Sequence, residues 1–413
     1  MVRRLGFGDA VVLGLGSMLG AGVFASFGPA AAAAGSGLLI ALVVAAVVAY
    51  CNATASARLA AVYPESGGTY VYGRRRLGPV WGFTAGWGFV VGKTASCAAM
   101  ALTFGAYAWP ANPAPPAIGA AVLLTAVNYL GVAKTAGLTR VLVAATLLAL
   151  AAVVATGLGG GAVDPANLTG WTDGGVWGIG QAAALLFFSF AGYARIATLG
   201  EEIRDPATTI PRAIPVALGI VLVIYAVVAV TALLTVGSAG LATAAAPLAA
   251  VAESGTLGYL APVVRVGGAV ASAGVLLSLM AGIGRTTLAM ARDHELPARL
   301  GAVHPRFRVP HRAELLLGAV VVAIVLVTDV RGAIGFSSFA VLIYYAIANA
   351  AAFTLDRPQR SRLLRPITVL GLLGCLGLAF TLPSVTIVAG VAVLAGGVLG
   401  RAALGALRRA DRI

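Results

Sequence analysis

Long apolar runs, rather than alternating or amphipathic patterns, dominate the chain. The stretches "LLIALVVAAVVAY" (38–50), "AIPVALGIVLVIYAVVAVTALLTV" (213–236) and "LLLGAVVVAIVLV" (315–327) carry no polar stripe of the kind a surface helix shows. Each reads as part of a helix crossing a bilayer, which takes roughly 20 apolar residues for ~30 Å of hydrocarbon. Twelve such segments are expected, at about 8–33, 37–62, 79–109, 117–133, 137–158, 177–200, 211–236, 259–291, 313–329, 332–355, 366–382 and 384–402. Only Leu382-Pro383-Ser384 separates the last two. The apolar run from Leu5 to Ala34 outlasts the ~7–15-residue core of a cleaved signal peptide, so the first segment is read as a span.

Composition removes the soluble alternative. The chain is 60% hydrophobic and 10% charged, against about 25% charged in a soluble domain. Too little polar sequence remains to cover twelve buried helices. Cys51, Cys97 and Cys375 lie inside apolar runs without paired spacing and read as packing residues, not disulfides or metal ligands. The net charge of +14 is no nucleic-acid signature, because its arginines alternate with the segments. With twelve crossings, 22 of the 28 basic residues fall on one side, in the amino terminus, the even-numbered loops and the carboxyl tail. Basic loops stay cytoplasmic, so both termini are expected inside the cell membrane. The scarcity of lysine, 2 against 26 arginines, together with abundant alanine, suggests a high-GC bacterial source.

Two segments are interrupted. "GSMLGAGVF" (16–24) puts three glycines in the middle of the first, each costing ~1 kcal/mol of helix propensity relative to alanine. Alone, Gly16 and Gly20 would read as a small-residue packing face. The sixth segment, however, is broken near its middle at Phe190-Ala191-Gly192-Tyr193. Breaks at corresponding positions in two halves point to a transport site between inverted repeats. The expected fold is therefore all-α, with twelve membrane helices in a single domain: one repeat at about 8–158, a second at about 177–355, and two appended helices at about 366–402. A half-helix beginning near Gly22 would offer free amides and a positive dipole end to a carboxylate. The carbonyls ending the preceding half would suit an ammonium, and a zwitterionic amino acid presents both charges on one carbon.

At this point the sequence resembles the amino acid–polyamine–organocation permeases over nearly its whole length. "GSMLGAGVF" is similar to that family's first-helix motif. "YPESGGTYVYGRRRLGPVWGFTAGW" (63–87), "FFSFAGYARIATLGEEIRDPATTIPRAI" (187–214) and "GRTTLAMARDHELPARLGAVHPRFRVP" (284–310) resemble three later motifs, in the right order. The resemblance implies a substrate carboxylate at the amides of Gly20, Ala21 and Gly22 with Ser17 nearby. It implies an ammonium at the carbonyls of Met18, Phe188, Ser189 and Ala191, with Phe190 in the same break and Tyr193 as an aromatic gate. Two positions depart from it. Relatives that use protons often carry a lysine in the fifth helix, where this chain has Thr146, and an acid after the gate, where it has Ala194 and then Arg195.

An ionisable residue within the membrane is a functional candidate by default. Lys93, one of the two lysines, is expected to titrate or to stand in for a cation; the competing reading is a snorkelling or structurally paired lysine. Arg195 and Arg285 are candidate partners of Glu201 and Glu202, as gate or coupling groups, and Arg265 is expected to snorkel. Of the 14 acids, Asp9 and the Glu201–Glu202 pair are the ones read as lying at or within the segments. No cofactor or metal is implied. The expectation is a secondary transporter of a neutral amino acid, driven by protons. The alternatives are an amino acid or amine exchanger and, from another class, a membrane enzyme or channel. The enzyme lacks clustered carboxylates, and no phosphate-binding glycine loop exists to drive a pump.

Overall fold

In hydrocarbon every backbone amide and carbonyl needs an internal partner, which leaves helices as the solution for apolar runs of this length. The computed structural model describes residues 5–63, 67–131, 136–193, 196, 203–356 and 363–410. Among these the chain is helical throughout, apart from turns, loops and one isolated bridge between Leu5 and Ile203. The first predicted segment consists of three consecutive pieces, α1 (Phe7–Met18), α2 (Ala21–Ala25) and α3 (Phe27–Ala34). Gly35, at φ 57°, then turns the chain into α4 (Leu38–Val62). The first half continues with the short α5 (Thr69–Arg76), then α6 (Pro79–Ala108), α7 (Ala114–Tyr129) and α8 (Ala136–Gly159). The second half comprises α9 (Gly175–Phe190), α10 (Pro206–Thr243), α11 (Pro247–Glu253), α12 (Ala261–Arg292), α13 (His311–Val327) and α14 (Val330–Phe353). It is followed by α15 (Leu364–Thr381) and α16 (Ser384–Ala410). Prolines 79, 206 and 247 stand at helix starts, where a missing N–H costs nothing.

Each of the twelve predicted segments overlaps a helix or a run of helices. Ten stretches among the described residues are long and apolar enough to cross a bilayer. α7 and α13, with 16 and 17 residues, are shorter; at 1.5 Å per residue they extend only about 24 and 26 Å.

α6 and α14 are the most enclosed spans, and α16 turns nearly all of its surface outward. Close contact between α6 and α14 comes from Gly92, which faces Ala340 and Val341, and from a Ser96–Ser337 hydroxyl hydrogen bond of 2.6 Å. A second polar tie joins α4, α14 and α15. The Asn349 amide donates to Asn52 Oδ1 at 2.6 Å, and the Cys375 thiol donates to the same oxygen at 3.2 Å. All three cysteines are buried and unpaired, as expected. Val43, Leu148, Val223, Leu373 and Val388 point outward, an apolar rim suited to lipid. At one end of the bundle α5 is stapled to the chain after α12. Arg74 lies 3.3 Å from Asp293 and 3.6 Å from Glu295, and Arg401 of α16 also pairs with Glu295. The Tyr70 hydroxyl donates to Asp293 at 2.6 Å; burial, then this bond, raises its pKa well above the ordinary range, so it remains a donor.

Candidate functional site

The glycine-rich stretch breaks where the sequence places the break. α1 ends at Met18, Leu19 and Gly20 leave helical geometry (ψ 52° and −149°), and α2 restarts at Ala21. The Gly20 amide donates to the Met18 carbonyl at 2.8 Å, a tight local turn. Ala21 and Gly22 head the new helix, where first-turn amides have no carbonyl one turn behind them. At the other expected break α9 ends at Phe190 and a 3₁₀ turn covers Ala191–Tyr193; 194, 195 and 197–202 lie outside the described residues.

These two breaks lock into each other through glycine. A Cβ on Gly22 would stand 2.7 Å from Ser189 Cα and 2.8 Å from its Oγ. A Cβ on Gly192 would collide with the Ser17 carbonyl and come within 2.8 Å of the Met18 amide. Each glycine therefore admits the backbone of the opposite break. The serine hydroxyls of Ser26 and Ser189 add a 2.8 Å hydrogen bond across the same seam.

Tyrosines supply donors to the exposed carbonyls. Tyr225 of α10 donates to Met18 O at 2.6 Å and to Ser189 O at 3.2 Å, tying both breaks to one hydroxyl. Tyr345 of α14 donates to Ala191 O at 3.3 Å, and its ring lies 5.3 Å from that of Tyr193. Tyr107 of α6 donates to Phe24 O at 3.0 Å and accepts from the Leu248 amide. The sequence reading missed these three. The available signal was an isolated tyrosine in an aliphatic run, as in "VLVIYAVVAV", whose hydroxyl must find a partner in hydrocarbon.

Met18, Gly20, Ala21, Gly22, Ser189, Phe190, Ala191 and Tyr193 are thus gathered at one seam. Phe188 is only half-buried, and Ser17 spends its hydroxyl on Leu13 O of its own helix at 2.8 Å. Thr146 also bonds within its helix, to Leu142 O at 2.8 Å. It lines a cavity of about 10 Å³ beside the first break, with Gly16, Gly20, Gly274 and Val275 and no ionisable side chain. Such a space holds about one water.

The charged candidates lie elsewhere. Lys93 is buried in α6, one turn before Cys97. Arg285 of α12 is exposed and follows Gly284, whose missing side chain leaves room for Glu314 of α13. The sequence reading passes over Glu314, although segment 313–329 contains it; one acid at a helix start, next to a basic loop, reads as loop. Arg195, Glu201 and Glu202 lie outside the described residues. Arg265 does not simply snorkel: its Nε donates to Glu253 at 3.0 Å.

Known proteins resemble this chain over nearly its whole length. A family model described as amino acid permease matches residues 5–399. An uncharacterised transporter of Mycobacterium tuberculosis is 63% identical over 396 residues, 96% of this chain and 90% of that protein. A branched-chain amino acid permease of Bacillus subtilis is 26% identical, covering 95% and 86% of the two chains. A methylthioribose transporter of the same organism is 26% identical, covering 97% and 92%. The chain therefore belongs to the amino acid permease family, within the amino acid–polyamine–organocation superfamily, and is a multi-pass membrane transporter rather than an enzyme.

Proposed function

We propose that this transporter carries a neutral amino acid across the cell membrane by alternating access, in symport with protons. The observation that supports it best is the reciprocal seating of Gly22 on Ser189 and Gly192 on Ser17–Met18. Two broken helices meeting backbone to backbone bring first-turn amides of one half-helix beside the terminal carbonyls of another. The amides of Gly20, Ala21 and Gly22 would take the substrate carboxylate, and the carbonyls of Met18, Phe188, Ser189 and Ala191 its ammonium. A carbonyl oxygen has two lone pairs, so Ser189 O and Ala191 O, each accepting from one tyrosine, keep a second for the ligand, whereas Met18 O accepts from both the Gly20 amide and Tyr225 and would have to release one of them. Apart from Met18 these seam residues are small or aromatic, and none of them is charged, which suits an uncharged substrate side chain.

The breaks fall in the first and sixth of twelve segments, which fits two inverted repeats of five with two helices appended. The distribution of arginine then puts both termini in the cytoplasm. Space for one water at the first break is far below the size of an amino acid. Loading therefore requires the seam to open, with Tyr193 closing one route to it, and Lys93 or Arg285 acting in coupling or gating.

Thermal-shift screening of the purified chain against all amino acids and several amines, followed by counterflow with the hits, tests this reading. Stabilisation and counterflow by one or more neutral amino acids are expected. If no amino acid stabilises the protein or exchanges, the substrate assignment is wrong.

A further inference from the structure

We propose that Glu314 is the proton-binding site of this carrier, a second functional centre separate from the helix breaks. It rests on the reading of the chain as proton-driven, and it assigns that role to a residue outside the substrate seam.

Glu314 sits in the first turn of α13 and is 3% exposed. Its Oε2 is buried and has no hydrogen-bond partner among the described residues. Its Oε1 occupies the space that a side chain at position 284 would fill, so Gly284 of α12 makes room for the carboxyl group. Among the described residues Glu314 makes no ion pair. An ionised carboxylate buried with an unpartnered oxygen costs free energy that proton uptake removes. The alternative is for a cation to move into contact.

Cations are at hand on the neighbouring helices. α6 carries Lys93, itself buried, and Cys97 one turn on. α12 carries Arg285, exposed and directly after Gly284. α7 contributes Tyr129, which packs edge-on against His311, and the turn Ala298–Gly301 carries Arg299. On α13 itself stand Arg312 and His311, whose Nδ1 is buried without a hydrogen-bond partner among the described residues. In this proposal the carboxyl group has two arrangements, protonated in the apolar packing shown or ionised against Arg285, the residue next to the Gly284 that seats it. Switching between them would shift α12 and α13 relative to one another.

That shift reaches the substrate seam through one element. α12 also carries Val275, whose methyl group abuts Gly20 at the first break, and Gly274, which lines the adjacent cavity. Nine residues separate Val275 from Gly284, about 14 Å along a single helix. Protonation at one end and substrate at the other therefore act on the same rigid rod. The cavity beside the break, uncharged and lined by Thr146, offers no competing proton acceptor.

The test uses the full chain reconstituted in lipid. Infrared difference spectra across a pH titration should show the carbonyl stretch of a neutral carboxyl group in the wild type. That band should vanish in Glu314→Gln and shift in Glu314→Asp. In proteoliposomes Glu314→Gln should retain counterflow yet lose accumulation driven by a proton gradient. Lys93→Ala should flatten the pH dependence of uptake. A titrating band unchanged in Glu314→Gln, or gradient-driven accumulation that survives the substitution, overturns the assignment. Absence of counterflow in the wild type would overturn the transport reading instead, while the infrared band still decides the role of Glu314.

Discussion

Gly22 holds its place by having no side chain: three atoms of Ser189 lie within 3 Å of where a Cβ would stand. Forcing a methyl group there costs about 1–3 kcal/mol of overpacking. It also separates the two breaks at the point where the ligand is proposed to bind. Gly22→Ala is therefore expected to reach the membrane normally and to lose most of its uptake, measured as substrate counterflow against expression. Wild-type counterflow in this variant would remove the seam from the mechanism. At this scale the glycines were legible, because glycine inside an apolar span has few other uses. Tyr225 and Glu314 were not. A hydropathy run absorbs one hydroxyl or one acid without changing its mean, and only the fold reveals that Tyr225 reaches both Met18 and Ser189.

Whole helices were easier to read than residues, since length and apolarity are additive along a run. The first segment was expected to break within Gly16–Phe24 and to restart near Gly22; it breaks at Leu19–Gly20 and restarts at Ala21. What the pattern did not convey is length at α7 and α13, where apolar composition resembles that of a full crossing but helical geometry ends early. Polar ties between helices were equally invisible. Asn52 and Asn349, 297 positions apart, meet only after α4, α14 and α15 pack together. Interhelical hydrogen bonds of this kind contribute about 0.6 kcal/mol and up to ~1.7. Asn349→Ala should accordingly lower the unfolding temperature in detergent by a few degrees and leave the substrate KM of counterflow unchanged. A large change in KM would mean that this tie belongs to the transport cycle rather than to packing.

For the molecule as a whole, the proposed alternation of access can be tested at the buried seam. The three native cysteines are buried, so labelling background is low and single cysteines report cleanly. Cysteines placed at Ser17 and Tyr193 should react with impermeant reagents from one side at a time, in proportions that change with substrate. Equal reaction from both sides at once would describe a pore. The glycine interlock has a further consequence, in the language of substitution rather than of geometry. Tyr225 has phenylalanine, and Glu314 has glutamine, as near-isosteres that separate shape from chemistry. Gly22 and Gly192 have none, because every other amino acid adds at least one carbon. No genetic change at those two codons that alters the residue is mild, and the carrier's least reactive positions are the ones it has the least freedom to revise.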